Sequence, residues 1–364
     1  MEFCRLPAPL LHHSMIIIDG SYGEGGGQII RTCLSLSAIT GQEFEILNIR
    51  AGRAKPGLQP QHLASVNAAA MICAAETVGA SAGSQRLVFS PKHPVTPGDY
   101  RFDIGTAGAS TLVFQTVFLP LALAPDGSRP AITGGTHVPH SPPVEYVEDV
   151  YLQAVERMGG MSGHVSYLTA GFYPRGGGRL NAWIGGGAPQ WPIAMSERGD
   201  LRTLKAYIVT ARLPQHVLDR GAATVEKVMK GVGRKVEIEK REKDSPGPGA
   251  AVVLTAWCDG GFAGFTTIGI QGKPMEQVAE ETCQQLMKWW KTEASCDERL
   301  ADQLALPASL VQGESRWSTP RVTEHLRTVL WAVRQFLPIE YALEAGPLDN
   351  TTVIINGVGV DSRG

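Results

Sequence analysis

The sequence predicts an α/β fold of the mixed, α+β kind, in which repeated βα modules are interrupted by a smaller inserted α+β domain. The repeat is predicted by an apolar run at 15–18, a glycine-rich turn and a helix-like segment, an order that recurs from residue 100 to residue 123. The insertion is predicted by a change near Gly185, after which charge increases and glycine becomes less frequent. A repeated body with an inserted domain explains this order.

The first module begins with the apolar run Met15 to Ile18, a short strand, followed by the glycine-rich turn at 23–27. Apolar residues then recur on one face of a helix that also carries Arg31 and that Gly41 is placed to end. Glycines before a helix start let the backbone approach a ligand, and the free N–H groups there attract anions. The spacing matches neither the phosphate-binding loop of nucleotide hydrolases nor the dinucleotide fingerprint, so a plain tight turn stays the alternative.

A short basic loop follows the next predicted strand, Phe44 to Ile49. It contains Arg50, Arg53 and Lys55 and is followed by Gln61 and His62. Together with Arg31, these side chains predict a cradle for a terminal phosphate. A solvated basic loop is the alternative, and the neighbouring glycines and proline favour the fixed geometry.

The second module repeats the pattern with a strand at 100–104, a turn at 105–110 and a helix at 111–123. The inserted domain then predicts strands at 205–210, 235–242 and 251–257 and helices at 214–230 and 273–290, with another strand leading into the second helix. The last strands, 339–343 and 352–355, complete the main body. We predict an extension at 1–14, the main domain at 15–195, the inserted domain at 196–293 and the rest of the main domain at 294–364.

His325 is predicted to lie at the start of a helix whose apolar face ends before Pro338. The positive end of a helix dipole disfavours the imidazolium form, so the ring is expected to be neutral and available as a nucleophile or base. A surface or capping role is the alternative for a single histidine at this place.

Composition restricts the class of protein. The chain has 364 residues, a formal net charge of -2 and 43% hydrophobic residues, which is typical of a globular protein without a general basic surface for nucleic acid. The six cysteines show no metal-ligand or disulfide spacing, so we expect a cytoplasmic location. The longest apolar stretch, 112–124, contains Gln115 and Pro120 and is too short to span a bilayer, so no membrane is expected as a partner.

Five motifs in order resemble those of the RNA 3'-terminal phosphate cyclase family. They are Ile18 to Arg31 with its Gly-Glu-Gly-Gly-Gly run, Ile49 to Gly57, Gln61-His62, the glycine-rich Gly171 to Gly178, and Leu300-Ala-Asp-Gln-Leu304. Each motif alone is weak, but their order from Met15 to the last strands is specific. The resemblance implies repeated modules similar to the C-terminal domain of translation initiation factor three.

The resemblance also implies a reaction that uses ATP and a divalent metal, Mg or Mn. A histidine attacks the α-phosphate and retains AMP, which then moves to an RNA 3'-phosphate, and the ribose 2'-hydroxyl closes a 2',3'-cyclic phosphate. The implied partner is RNA with a 3'-terminal phosphate. The oligomeric state does not follow from the sequence.

Residue by residue, the family's nucleophile matches His325 in His-Leu-Arg-Thr, and its metal-binding glutamate matches Glu24. The remaining implied residues are Arg31, Arg50, Arg53, Gln61 and His62 for phosphate and RNA, and Gln115, Arg299, Asp302 and Gln303 for ATP. Arg299 replaces a frequent aromatic residue and Val329 a frequent asparagine, so we expect altered ATP contacts with retained activity.

Two other classes of protein share some of these features. Cyclase-like proteins that assist ribosome assembly lack the nucleophile, whereas this chain retains His325, Glu24 and the arginines. Enolpyruvyl transferases also repeat βα modules, but only generic glycine turns support that interpretation.

Overall fold

A computed structural model describes residues 15–360 as four sheets of four strands each, with helices packed against them. The mixed α/β fold class predicted from the sequence is confirmed. The predicted extension at 1–14 lies outside the described residues. Within 15–360, no helix is both long and apolar enough to cross a bilayer.

Three of the sheets share one topology, which is seen first in residues 16–90. Two parallel strands are joined by a helix, and after a second helix two antiparallel strands complete the sheet in the order β1-β2-β4-β3. The elements are β1 (Ile16–Asp19), α1 (Gly27–Thr40), β2 (Phe44–Leu47), α2 (Pro60–Cys73), β3 (Glu76–Val78) and β4 (Leu87–Ser90).

The second module repeats this topology with the order β5-β6-β8-β7. Its second helix is continuous from 144 to 156 and contains a π-helical segment, Val147–Leu152, between α4 (Val144–Tyr146) and α5 (Gln153–Glu156). The other elements are β5 (Asp99–Asp103), α3 (Ser110–Ala122), β6 (Arg129–Gly134), β7 (Ser162–Tyr167) and β8 (Gly178–Gly185).

The third module is split in sequence by the residues that form the fourth sheet. Its first strand is β9 (Ala194–Met195), and its order, β9-β14-β16-β15, again joins one parallel and two antiparallel pairs. Its other elements are α8 (Glu298–Leu310), β14 (Gly313–Thr319), α9 (Glu324–Phe336), β15 (Glu340–Ala345) and β16 (Thr351–Gly357).

The fourth sheet has the order β11-β10-β12-β13 and its own hydrophobic cluster. Its elements are β10 (Leu201–Ala211), α6 (Gln215–Gly231), β11 (Glu237–Glu242), β12 (Gly249–Cys258), β13 (Gly261–Ile268) and α7 (Met275–Trp290). The domain boundaries at 195 and 293 stay a prediction.

Helices of different modules pack against one another in pairs: α1 with α9, α2 with α3, and α8 with the 144–156 helix. These pairs enclose the larger hydrophobic cluster, which contains residues of all three modules. Because α1 follows a strand of the first module and α9 follows a strand of the third, their pairing brings together helix starts that are nearly 300 residues apart in sequence.

Several local predictions need correction. The strand predicted at 44–49 ends at Leu47, because Asn48 and Arg50 adopt positive φ values of 54°. The strand expected to lead into α7 ends at Ile268, several residues before the helix begins. Helix α2 was not predicted, because small and apolar residues are buried around much of its surface and leave no single stripe.

Candidate active site

The starts of α1 and α9 meet at a cluster of polar side chains. Nε2 of His325 lies 2.9 Å from Oε2 of Glu24, and Nδ1 of His325 contacts the side-chain amide of Gln28. Glu24 belongs to the glycine-rich turn before α1, whereas His325 is in the first turn of α9, which Thr323 caps by accepting the N–H of Leu326 at 2.9 Å. The structure therefore places the two most specific predicted site residues in direct contact.

The protonation of His325 is set by opposing effects. Partial burial lowers its pKa, the neighbouring Arg31 and Arg53 lower it further, and Glu24 acts in the opposite direction. The net pKa is below the ordinary value, so the imidazole is neutral at pH 7. The neutral form of the ring thus depends mainly on desolvation and on the nearby cations.

Arg31 is a half-buried cation on α1. Burial lowers its pKa to about 10, so it stays charged at neutral pH. Within residues 15–360, its guanidinium has no hydrogen-bond or ion-pair partner among the contacts found. A desolvated cation without an anionic partner costs stability, so this position favours an anionic ligand.

His62 lies beneath the start of α1 and is 2% exposed. Its Nδ1 accepts the backbone N–H of Gln59 at 3.0 Å, which fixes the ring at the start of α2. A Cβ at Gly27 would collide with Nε2 of His62, so only glycine allows this approach. Burial lowers the pKa of His62 to about 3, with smaller contributions from Arg31 and Arg50, and the ring is neutral.

The basic loop predicted after β2 extends the cluster. Arg53 forms an ion pair with Glu24, with 3.3 Å between Nη2 and Oε2. Arg50 donates to the carbonyl of Lys55 at 3.3 and 3.4 Å, and burial followed by the charge of Arg53 lowers its pKa. Arg31 and Arg53 thus lie at the same helix start, and Arg50 is close enough for its charge to act on Arg53 and His62, an arrangement that would suit a phosphate cradle.

A small cavity of about 80 Å³ adjoins Arg31 and Gln28 and lies between α1, α3, α8 and α9. Gln115, Asp302 and Gln303 line it, together with Val329. Nε2 of Gln115 and Oε1 of Gln303 are buried, and neither has a hydrogen-bond partner in the described part of the chain. One unpaired donor and one unpaired acceptor in the same cavity are suited to the polar edge of a ligand.

Asp302 connects the cavity to the start of α9. Its Oδ1 accepts the hydroxyl proton of Thr323 at 2.6 Å, the same residue that caps the helix of His325. Burial raises the pKa of Asp302 to about 8, and the charges of Asp297, Glu298 and Glu24 add to this effect. Asp302 therefore helps to hold the helix start in place.

Two predicted residues lie elsewhere. Arg299 is exposed and lines a different cavity, next to Phe265 and Trp289 of the fourth sheet and its helix. Gln61 faces the start of α3, where its Oε1 lies 3.5 Å from the backbone N of Ala109. Arg299 therefore does not line the cavity beside Arg31, and its role in ATP binding stays a prediction, whereas Val329 does line that cavity.

Two residues at the site were missed from the sequence. Gln28 contacts His325, and its position three residues before Arg31 on the polar face of α1 was a usable signal. Thr323 precedes an acidic first turn, a typical helix-capping pattern, but its bond to Asp302 depends on the packing of two helices.

The site contains one carboxylate suited to a metal. Within residues 15–360, no group of three or more His, Cys, Asp or Glu side chains could hold a metal ion by itself. Glu24 is 38% exposed at its side chain and lies among cations predicted to bind phosphate. This fits Mg²⁺, which commonly binds one or two carboxylates and completes its ligands with phosphate oxygens and water.

Comparisons with known proteins agree on one family. A sequence profile described as RNA 3'-terminal phosphate cyclase matches residues 22–343. Proteins of that name from Methylococcus capsulatus and Pyrobaculum neutrophilum are similar to this chain. The first is 44% identical over 330 residues, 89% of this chain and 91% of the relative. The second is 41% identical over 345 residues, 94% of this chain and 98% of the relative.

A match of this length includes the glycine-rich turn, the basic loop and the helix that carries His325. It also extends through the fourth sheet, so the inserted segment is shared with these relatives. The chain belongs to the RNA 3'-terminal phosphate cyclase family.

Proposed function

We propose that this protein converts an RNA 3'-terminal phosphate to a 2',3'-cyclic phosphate at the expense of ATP, with His325 as the nucleophile. The observation that carries the proposal is the contact of His325 with Glu24 beside the half-buried Arg31, which has no hydrogen-bond or ion-pair partner among residues 15–360. A neutral imidazole, a carboxylate for a metal and a cation for phosphate lie at one junction of two helix starts. Phosphoryl transfer needs these groups for attack and for charge stabilisation.

The reaction has three steps. A ring nitrogen of His325 forms a bond to the α-phosphorus of ATP, and the bond to pyrophosphate breaks. An oxygen of the RNA 3'-phosphate then attacks that phosphorus, the P–N bond breaks, and the imidazole is released. Finally the adjacent 2'-hydroxyl attacks the terminal RNA phosphorus, loses its proton, and expels AMP.

The surrounding residues have separate tasks in this scheme. Nε2 is the ring nitrogen that faces Glu24, while Gln28 orients the ring through Nδ1. Arg31, Arg50 and Arg53 bind the phosphates, and the buried His62 supports the start of α1. When bound by Glu24 and phosphate oxygens, Mg²⁺ or Mn²⁺ would neutralise phosphate charge.

The small cavity suits the nucleotide base. The nitrogen of Gln115 is a donor and the oxygen of Gln303 is an acceptor, and neither has a partner within 15–360. The edge of adenine offers both complements. Because the cavity is only about 80 Å³, side chains that line it must shift to admit the base. While these side chains shift, the hydrogen bond from Thr323 to Asp302 holds the start of α9 in place. The assignment of Arg299 to ATP stays a prediction without support from this cavity.

Formation of a protein-AMP adduct tests the proposal. Incubation with α-labelled ATP and Mg²⁺ is expected to label the protein with an acid-labile bond. His325→Ala should reduce labelling by at least about a thousandfold, since the nucleophile is lost. A chelator should also suppress labelling of the unaltered protein.

Substrate specificity provides the second measurement. RNA with a 3'-phosphate should become resistant to phosphatase, while RNA with a 3'-hydroxyl should be unchanged. An unlabelled wild-type protein, or equal labelling of His325→Ala, would contradict the mechanism and favour a cyclase-like assembly factor. Arg129→Ala, an exposed change on β6 away from the helix starts, serves as the control and should label normally.

A further inference from the structure

The glycine-rich motif Gly171 to Gly178 has no task in the reaction described above. It forms the loop between β7 and β8, and its backbone is held firmly from two sides. Phe172 is 3% exposed and stacks on His137 with 5.3 Å between ring centroids. On the other side, Gly177 lies against Pro246 of the turn before β12. The loop is therefore a rigid part of the surface.

Two side chains of this loop extend from the fixed backbone. Tyr173 is 69% exposed, and Arg175 is also exposed. Among residues 15–360, neither the hydroxyl of Tyr173 nor the guanidinium of Arg175 has a hydrogen bond or ion pair among the contacts found. An exposed aromatic ring beside an arginine on an immobile loop is the combination that single-stranded nucleic acids use for stacking and phosphate contact.

The loop is also close to the predicted phosphate site. A Cβ at Gly176 would lie 2.6 Å from Cα of Ala107, so the loop rests on the turn before α3. On its other side the same turn contacts Gln61, since a Cβ at Gly108 would lie 2.9 Å from Cβ of Gln61. The turn before α3 thus separates the 171–178 loop from Gln61, which follows the basic loop and precedes His62.

The corresponding loops of the other two modules lack this combination. Residues 79–86, between β3 and β4, contain no aromatic residue, and Arg86 at their end pairs with Glu45. Residues 346–350, between β15 and β16, contain Asp349 and no cation. Although the three modules share a topology, within residues 15–360 an exposed aromatic residue and a free cation occur together in just one of these three loops, the 171–178 loop beside the turn that contacts Gln61.

Positive charge continues beyond the loop. Arg179 is exposed on β8 next to the loop, and Arg212 and Lys243 line a cavity of about 820 Å³ beside Leu168 and Pro246. Glu242 and Asp244 also line this cavity and balance the charges of Arg212 and Lys243. The net positive charge of the loop and the cavity together therefore comes from Arg175 and Arg179. This charge is complementary to a phosphodiester backbone.

We propose that Tyr173 and Arg175 bind the RNA nucleotides that precede the 3'-terminal phosphate, with Tyr173 stacking on a base and Arg175 contacting the backbone. This proposal rests on the proposed function, because the RNA end is positioned by the phosphate site. It assigns to the loop the recognition of the RNA strand, whereas the helix starts act on its terminus.

Dependence on RNA length tests this assignment. Cyclisation of 3'-phosphorylated RNAs of two and ten nucleotides is compared for the wild type, Arg175→Ala, Tyr173→Leu and Tyr173→Trp. We expect kcat/KM for the longer RNA to fall about tenfold in Arg175→Ala and Tyr173→Leu, since a base stacked on an aromatic side chain contributes a factor of this order. The dinucleotide should be affected less than threefold, and Tyr173→Trp should restore the preference for length.

Matched controls come from the far end of the same sheet, where Arg129 and Trp183 are also exposed. Arg129→Ala and Trp183→Leu should keep the wild-type length preference. The proposal is overturned if the wild type does not prefer the longer RNA, if the loop variants retain that preference, or if they lose activity equally on both lengths. Adduct formation with labelled ATP, measured in parallel without RNA, reports on the proposed function separately.

Discussion

The starts of α1 and α3 are equivalent in topology, but different protein groups lie at the two places. Each follows the first strand of a module through a glycine-containing turn. At α3, protein groups fill the space: the N–H and hydroxyl of Ser110 both donate to the carbonyl of Gly135 at 2.8 Å. The fifth residue of α3 is the fully buried Phe114, whereas the fifth residue of α1 is the cation Arg31, which has no partner in the described part of the chain.

This difference shows that the backbone of the repeat is not sufficient for an active site. Both helix starts have the dipole that attracts anions. Of these two helix starts, and among residues 15–360, only that of α1 faces a second helix start, that of α9, which supplies a histidine opposite a carboxylate. In the proposed mechanism, the reactive chemistry depends on side chains added to one copy of a shared framework.

The strongest test of this comparison makes α1 resemble α3. In Arg31→Met we expect the rate of RNA cyclisation to fall about a hundredfold or more, because a preorganised cation for phosphate is lost. The melting temperature should stay the same or rise, because an apolar side chain replaces a desolvated cation. Steady-state kinetics and thermal unfolding measure the two effects.

Arg129→Met, on the exposed edge of β6, provides a matched loss of one charge and should change neither quantity appreciably. A clear fall in melting temperature with an unchanged rate in Arg31→Met would show that Arg31 is structural and would remove the contrast with α3.

A smaller effect is expected from Gly27→Ala, which adds a methyl group where His62 touches the start of α1. We expect the free energy of unfolding to fall by about 1–3 kcal/mol, the usual cost of overpacking. The rate should fall about tenfold because His62 and the helix start must shift. Denaturant unfolding and kinetics measure these changes.

Gly52 supplies the matched control, since a Cβ there would meet no atom within 4 Å. Gly52→Ala should change stability by less than about 0.5 kcal/mol. Equal behaviour of the two variants would refute the close approach of His62 to Gly27.

The smallest expected effect is a pH dependence of stability from His62. In the unfolded chain this histidine binds a proton near the ordinary histidine pKa of 6.5, whereas the folded protein lowers that pKa to about 3. Its contribution to stability is therefore complete above pH 6.5 and is lost as the pH falls toward 3. At a pH of about 5.5 the loss amounts to about 1 kcal/mol.

Replacing His62 with glutamine removes this titration and retains a side chain that can accept the N–H of Gln59. Between pH 7.5 and pH 5.5, the wild type should lose about 1 kcal/mol more than His62→Gln. Urea unfolding at both pH values measures the difference, and parallel losses in the two proteins would show that His62 is not buried in its neutral form.

Local patterns predicted much of the fold. The apolar face of α1, its end at Gly41 and the position of His325 in the first turn of α9 follow from neighbouring residues, because caps and stripes act over one or two turns. Helix α2 was missed because burial around much of its surface removes the stripe on which such a prediction depends.

In the candidate site, too, local patterns predicted the residues and long-range packing set their contacts. Glu24, Arg31 and His325 were assigned from motifs. The contacts of His325 with Glu24 and Gln28 were not derivable from spacing, since Gln28 and His325 are 297 residues apart. The same limit explains Arg299, which shares a motif with Asp302 and Gln303 but faces another cavity from the first turn of α8.

By itself the sequence determined the fold class and the repeated order of strand, turn and helix, and it predicted the residues that are proposed to attack, bind a metal and hold phosphate. These properties depend on side-chain chemistry and on short-range periodicity. Only the tertiary structure decided that α1 and α9 pair at their starts, that Arg31 is left without a partner among residues 15–360 and that Tyr173 is exposed beside the turn of α3. The reason is that helix pairing and burial are set by packing among residues far apart in the chain.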